Sequence, residues 1–161
     1  DTAGTLHDRL MILGAELVTE TLRMIDEGKV ETIDQQNLLS DTSTLKKAPK
    51  IFREDCNINW NKTPVEICNL IRGLNPVPGA FTQFDDVAEE PFYMKIFHAI
   101  PIIQQHDHPT GKLFSDNKTY LKVSCHEGFI DIKTMQPAGR SRMKTADFLR
   151  GYDFSRVHPL H

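Results

Sequence analysis

Asn59-Trp60-Asn61-Lys62-Thr63-Pro64-Val65-Glu66-Ile67-Cys68-Asn69-Leu70-Ile71-Arg72-Gly73-Leu74-Asn75-Pro76-Val77-Pro78-Gly79-Ala80-Phe81-Thr82 carries its own start and stop signals. Thr63 is a good N-cap, Pro64 suits the first helical position, and Glu66 completes a capping box three residues on. Ile67, Leu70 and Ile71 then share one face at the helical period. Gly73 is expected to end the element in the left-handed conformation. A stiff Asn-Pro-Val-Pro-Gly corner follows, in which neither Pro76 nor Pro78 can donate to a strand ladder. The segment is a hinge between two kinds of structure: helix and loop before it, strand after it.

Beyond the corner the period changes from helical to alternating. Residues 80–84, 92–100, 111–114, 118–125 and 128–135 are short runs separated by turn residues. In 118–125 Leu121, Val123 and Cys125 fall on one face and Tyr120, Lys122 and Ser124 on the other. Asp116-Asn117 and Glu127-Gly128 mark tight turns. Five short strands with few helices predict a closed or nearly closed OB-like five-stranded β-barrel, mainly β with flanking helices. A short helix over 145–150 is expected after it, with Thr145 as cap and Gly151 as stop, and then a partly disordered tail holding Pro159 and two histidines.

Before the hinge, residues 5–27 form one amphipathic helix. Thr5 caps it, Asp8 lies in its first turn, and Leu6, Leu10, Leu13, Leu17 and Ile25 repeat every three or four residues ahead of Gly28. Gly14 in mid-helix costs about 1 kcal/mol against Ala, which suggests a close contact there. One helix cannot bury its own stripe, and nothing else up to Lys50 offers a second apolar layer. Residues 1–44 therefore read as the last helix and tail of a domain whose body lies elsewhere, and a chain that starts Asp1-Thr2-Ala3-Gly4 rather than with Met suggests a fragment. Residues 31–54 are polar, with a Ser/Thr-rich run over 40–44, and read as a linker with a basic end.

The composition sets bounds. With 161 residues, 39% hydrophobic and 25% charged, the chain is long enough for one ordinary domain, or for a small domain plus a piece of another. No apolar stretch approaches the roughly 18–20 residues that span a bilayer. Cys56, Cys68 and Cys125 are an odd count at irregular spacing, which argues against a disulfide framework or zinc site and for reduced cytosolic thiols. Nine acidic and three basic residues over 1–44 give −6, whereas sixteen basic and thirteen acidic from 45 onward give +3. The basic part is thus the candidate for a polyanion.

Catalytic patterns are missing from the residues themselves. His106-Asp107-His108 could ligate a metal, but adjacent strand positions face opposite ways and no third ligand stands at a useful spacing, so a solvated loop is expected. Ser40, Ser43 and Ser124 lack a nucleophile elbow, Cys68 reads as packed, and no Gly-rich phosphate loop follows a strand. The basic set remains: Lys46, Lys47, Lys50 and Arg53 on the linker, Arg72 on the hinge helix, and Arg140, Arg142 and Lys144 on a turn after the last strand. Such cations suit phosphates, Arg bidentately, although charge runs are more often simply solvated.

Ile58-Asn59-Trp60, Ile71-Arg72-Gly73-Leu74-Asn75-Pro76-Val77-Pro78-Gly79-Ala80, Leu121-Lys122-Val123, Gln136-Pro137-Ala138-Gly139-Arg140 and Phe148-Leu149-Arg150-Gly151 fall in an order that resembles the methionyl-tRNA formyltransferase family. Leu6-His7-Asp8-Arg9-Leu10 and Leu13-Gly14-Ala15-Glu16-Leu17-Val18 resemble the final helix of that family's catalytic domain, and Ala48-Pro49-Lys50-Ile51 its interdomain linker. The resemblance covers about residues 5–151. It implies a formyltransferase parent with an α/β, Rossmann-like catalytic domain that binds 10-formyltetrahydrofolate and carries an Asn, His and Asp trio upstream of Asp1, so that no catalytic residue transfers to this chain. It implies the division 1–44 (end of the catalytic domain), 45–58 (linker), 59–155 (OB-like tRNA-binding domain) and 156–161 (tail). It further implies a cytoplasmic bacterial protein, expected to be a monomer, whose eight cations position initiator methionyl-tRNA for formylation in translation initiation. Family members often have Lys where this chain has Arg140, which keeps the charge. Two other readings stand beside it: a formyltransferase or hydrolase of the same architecture acting on a nucleotide sugar or formyl-folate, and a β-barrel interaction module with no enzyme attached. The extended cationic track favours tRNA over a small substrate, and the lone amphipathic helix argues against the isolated module.

Overall fold

The computed structural model describes residues 1–38, 45–85 and 91–152. The Ser/Thr-rich run over 40–44 and the tail from 153 onward lie outside these residues. The chain divides into two compact units, Thr5–Ile51 and a second one made of Asp1–Gly4 with Phe52–His161.

The first unit is dominated by helix α1 (Ala3–Asp26), which begins two residues before the expected Thr5 cap. Glu20 and Glu27 clasp Arg23 one turn either side of it, and Gly28 takes a left-handed φ of 67° just past the end. No residue of α1 is buried. Leu6, Leu10, Leu13, Leu17 and Ile25 are all about half exposed or more, joined by Met11, Ile12, Val18 and Leu22. The close contact expected at Gly14 is absent: a side chain there would meet nothing within 4 Å. After α1 come a single 3-10 turn at Gln35–Leu38 and, from residue 45, irregular exposed chain.

The second unit opens with a 3-10 turn at Glu54–Cys56 and helix α2 (Pro64–Gly73). The capping box forms as expected: the Thr63 hydroxyl accepts from the Glu66 N–H and the Glu66 carboxylate accepts from the Thr63 N–H at 3.0 Å. Ile67, Cys68 and Ile71 are buried and Leu70 packs against the core. Gly73, however, does not turn the chain. It stays helical, Leu74 follows at φ −101°, and the left-handed glycine is Gly79 at φ 84°, whose N–H donates back to the Leu74 carbonyl. The Pro76–Pro78 corner, with both prolines after cis peptide bonds, delays the reversal by six residues.

Six strands follow: β1 (Ala80–Phe84), β2 (Phe92–Ile103), β3 (Leu113–Ser115), β4 (Leu121–Cys125), β5 (Gly128–Pro137) and β6 (Met143–Lys144). All pairs are antiparallel, in the order β1-β2-β5-β4-β3 with β6 added to β5. This is a mainly-β half-barrel. Of the expected closed or nearly closed forms it is the open one: no β1–β3 ladder is made among the described residues, and a parallel bridge from Asn57 to Phe81 covers part of the free edge of β1. The two-residue β6 has no counterpart in the expected set, because two residues are too few to show alternation.

Ile67 and Ile71 of α2 close one side of a core built from Met94, Ile96, Leu121, Val123, Ile130, Ile132 and Met135, and Phe148 and Leu149 of helix α3 (Thr145–Gly151) join it. Thr145 is not the cap of α3. Lys144 occupies that position, while the Thr145 hydroxyl is buried and donates to the Ile132 carbonyl. Gly151 is the last residue of the helix, with Tyr152 as its C-cap.

Candidate nucleic-acid interface

The ladder between β2 and β5 slips twice. Ile96 pairs with Met135, His98 with Thr134 and Ala99 with Ile132, so Phe97 and then Lys133 are each left without a partner. Such bulges re-aim side chains. Phe97 is buried, yet it stands apart from the main apolar cluster. Its carbonyl, lacking a ladder partner, accepts from the Asn75 side-chain amide at 2.7 Å, and its ring packs beside Gly79. The Pro76–Pro78 corner is therefore pinned to the bulge, and the Lys95 ammonium adds a bond to the Pro78 carbonyl at 2.9 Å.

Cations collect on the outward side of these strands. The register sets exposed Lys95 beside Gln136, and exposed His98 beside Thr134 and Lys144, while Ile96, Met135 and Met143 occupy the core side. The guanidinium of Arg142 lies over the Phe97 ring at 3.5 Å from its centroid. Arg140 sits in the β5–β6 turn, which Gly139 allows with φ 71° and which the Gln136 amide holds by donating to the Arg140 carbonyl at 2.9 Å. Asp131, paired with Lys133 at 2.6 Å, is the only carboxylate in β2, β5 and β6.

Of the eight expected cations, Arg140, Arg142 and Lys144 thus come together, on a turn and a sixth strand rather than on an irregular loop. Arg72 is in the last turn of α2, bonded to Asn69, with its carbonyl accepting from the Asn75 N–H. Arg53 precedes the Glu54–Cys56 turn, its guanidinium 5.7 Å over Phe81. Lys46, Lys47 and Lys50 are exposed residues of the Thr5–Ile51 unit. Sequence reasoning missed Lys95, His98 and Lys133. Lys95 and Lys133 were legible, since Tyr93 and Lys95 alternate with Met94 and Ile96, and Asp131 and Lys133 with Ile130 and Ile132; His98 was not, because it follows a break in the period.

Residues 106–108 lie in a loop, as expected, with Asp107 and His108 exposed; His106 alone turns inward. His106 is half-buried against Phe129, at 4.4 Å between ring centroids, and its Nε2 lies 3.0 and 2.8 Å from the Cys125 and Gly128 carbonyls. Its Nδ1 accepts from the His108 N–H, so the ring proton is on Nε2. Among the described residues no cluster of three His, Cys, Asp or Glu side chains could hold a metal ion, and no helix is long and apolar enough to cross a membrane. Cys68 and Cys125 are buried, and burial pushes their thiols up to about 11 and about 12.

Fold and surface together define a small antiparallel β-domain with a cationic outer face. The chain belongs to the formyl transferase family: residues 50–153 match the model of the formyl transferase C-terminal domain. It is similar along nearly its whole length to proteins named methionyl-tRNA formyltransferase, with 47% identity to that of Azobacteroides pseudotrichonymphae over 94% of this chain and 38% to that of Bacteroides thetaiotaomicron over all of it. The chain spans about half the length of these curated relatives, 47% and 50%. Among solved structures, HypX from Aquifex aeolicus shares the fold with TM-score 0.60 at 17% identity, over 90% of this chain and 25% of that one. A second structure of HypX, in complex with tetrahydrofolic acid, matches with TM-score 0.56.

Proposed function

We infer that this chain is the tRNA-positioning part of a cytoplasmic methionyl-tRNA formyltransferase. The whole protein transfers a formyl group from 10-formyltetrahydrofolate to the α-amino group of methionine carried by initiator tRNA. In this reading residues 1–44 end the catalytic domain, 45–58 link it to the β-domain of residues 59–155, and the folate donor is held by the half of the protein outside this chain. The exposed stripe of α1 supports that division, since an apolar face of this length needs a partner layer. The observation that carries the tRNA role is the cationic outer face of β2, β5 and β6, where Arg140, Arg142 and Lys144 stand on or beside the strands of Lys95 and Lys133, which hold a single carboxylate, Asp131.

Phosphate contacts of this kind fix the position of an acceptor arm and carry little sequence information. Lys46, Lys47, Lys50, Arg53 and Arg72 are further exposed cations of the chain, more than a nucleotide sugar or a folate would need. The test is titration of formylatable initiator tRNA at two salt concentrations. Binding at low salt that weakens steeply with added salt, and that weakens further when Arg140, Arg142 and Lys144 are neutralised together, is expected. Binding indifferent to salt and to that triple change overturns the reading.

A further inference from the structure

At the end of the cationic face, where the β5–β6 turn meets the start of β2, lies a cavity of about 300 Å³ lined by Pro91, Phe92, Tyr93, Pro137, Arg140 and Tyr152. Its wall is preset. Tyr152 stacks on Phe148 with centroids 5.0 Å apart and planes 21° apart, and it lies 5.0 Å from Phe92, which is itself buried against the core. The rim is held by the Ala138 N–H donating to the Tyr93 carbonyl and the Arg140 N–H donating to the Pro137 carbonyl. Arg140 is exposed, and its guanidinium has no hydrogen bond or ion pair among the described residues.

We propose that this cavity receives one unpaired nucleotide of the bound RNA, its base against the aromatic and proline wall and its phosphate on Arg140; the proposal rests on the tRNA reading above. Three features select that ligand. The volume is at the lower end of the range for small-ligand sites, about 300–1,000 Å³, and admits a single nucleotide but not a duplex. Aromatic rings hold splayed-out bases by stacking whatever their sequence. Tyr93 of the lining stands two residues before Lys95 on β2, and Pro137 directly follows Gln136, the register partner of Lys95, so a polyanion laid along that face brings its phosphates to Arg140. Arginine, unlike lysine, can grip a phosphate with two parallel N–H bonds.

The test uses the full 161-residue chain and nuclear magnetic resonance, with a 5′-phosphorylated single-stranded RNA trinucleotide and a blunt-ended RNA hairpin as probes. Saturable shifts of Tyr93, Arg140 and Tyr152 resonances are expected with the trinucleotide and not with the hairpin. Arg140→Ala or Tyr93→Ala should weaken trinucleotide binding about tenfold or more, with Arg140→Lys between these and the parent chain. Both side chains are exposed, so denaturation curves should show the variants folded. Shifts confined to Lys95 and Lys144, or trinucleotide affinity unchanged in both alanine variants, overturn the cavity's role. Initiator tRNA titrated in parallel separates the two readings. Bound tRNA with unmoved cavity resonances removes the cavity alone, whereas a trinucleotide in the cavity without tRNA binding supports the cavity and removes tRNA as the ligand.

Discussion

The Arg142 guanidinium covers the ring of Phe97 at 3.5 Å from its centroid, so this cation of the outer face is placed by a buried aromatic side chain at a strand bulge. Removing it bares a ring the main apolar cluster does not shelter. Arg142→Ala should cost about 1 kcal/mol, read from urea unfolding, and Arg142→Lys should recover only part of it, since an ammonium cannot stack as a plane. If the face carries tRNA, the same Ala variant should also lower the salt slope of binding by about one.

Gly73 and Gly128 predict opposite outcomes for one substitution. Gly73 is helical with open space around it, so Gly73→Ala should leave stability unchanged or raise it by up to about 1 kcal/mol. At Gly128 a Cβ would run into the Ile102 carbonyl and stand 2.7 Å from Pro64 Cγ, where strand β2 and helix α2 press on the start of β5. Gly128→Ala should cost about 2 kcal/mol or more. Thermal melting of the two variants checks the pair.

Asp116 closes the β3–β4 turn, with Asn117 next to it at φ 58°. Burial opposes its charge, but bonds from the Thr119 hydroxyl and from the N–H groups of Thr119, Lys118 and Tyr120 outweigh this and hold the carboxyl well below the usual carboxylate range. A depressed folded value means that its stabilisation is complete above the unfolded value of about 3.9 and is lost as pH falls through the folded one. Asp116→Asn should therefore be less stable than the parent at pH 7, with a gap that narrows on acidification below about pH 4. A gap constant across pH 7 to pH 2 would contradict this account.

Cys68 and Cys125 should resist a thiol reagent at neutral pH, because both are buried and burial raises both, Cys125 further through its neighbour Cys68. Arg72 offsets the shift at Cys68 only in part. Labelling within minutes in the native state, rather than after denaturant exposes the three thiols, would show the core to be looser than described.

Local chemistry was written in the sequence wherever a signal and its partner lie within a few residues. The capping box at Thr63 and Glu66, the Asp116 turn, the phase of residues 121–125 and the strand at Ala80–Phe84 formed as the residues predict, because each is decided by contacts that short stretches of chain can make alone. The sequence also located the cations Arg140, Arg142 and Lys144, though not that they share a face with Lys95.

What the tertiary structure alone decided lies where distant segments compete for one backbone group. Gly73 lost the turning role to Gly79 because the cis-proline corner is tied to the Phe97 carbonyl through Asn75. Thr145 gave up its cap to bond Ile132 from the far side of the β5–β6 turn, and His106 left solvent to meet the Cys125 and Gly128 carbonyls. Bulges at Phe97 and Lys133 shift the face of every later residue on their strands. A period-two pattern read along one strand cannot reveal them, because a bulge is a relation between two strands, and its side chain settles only when the sheet has formed.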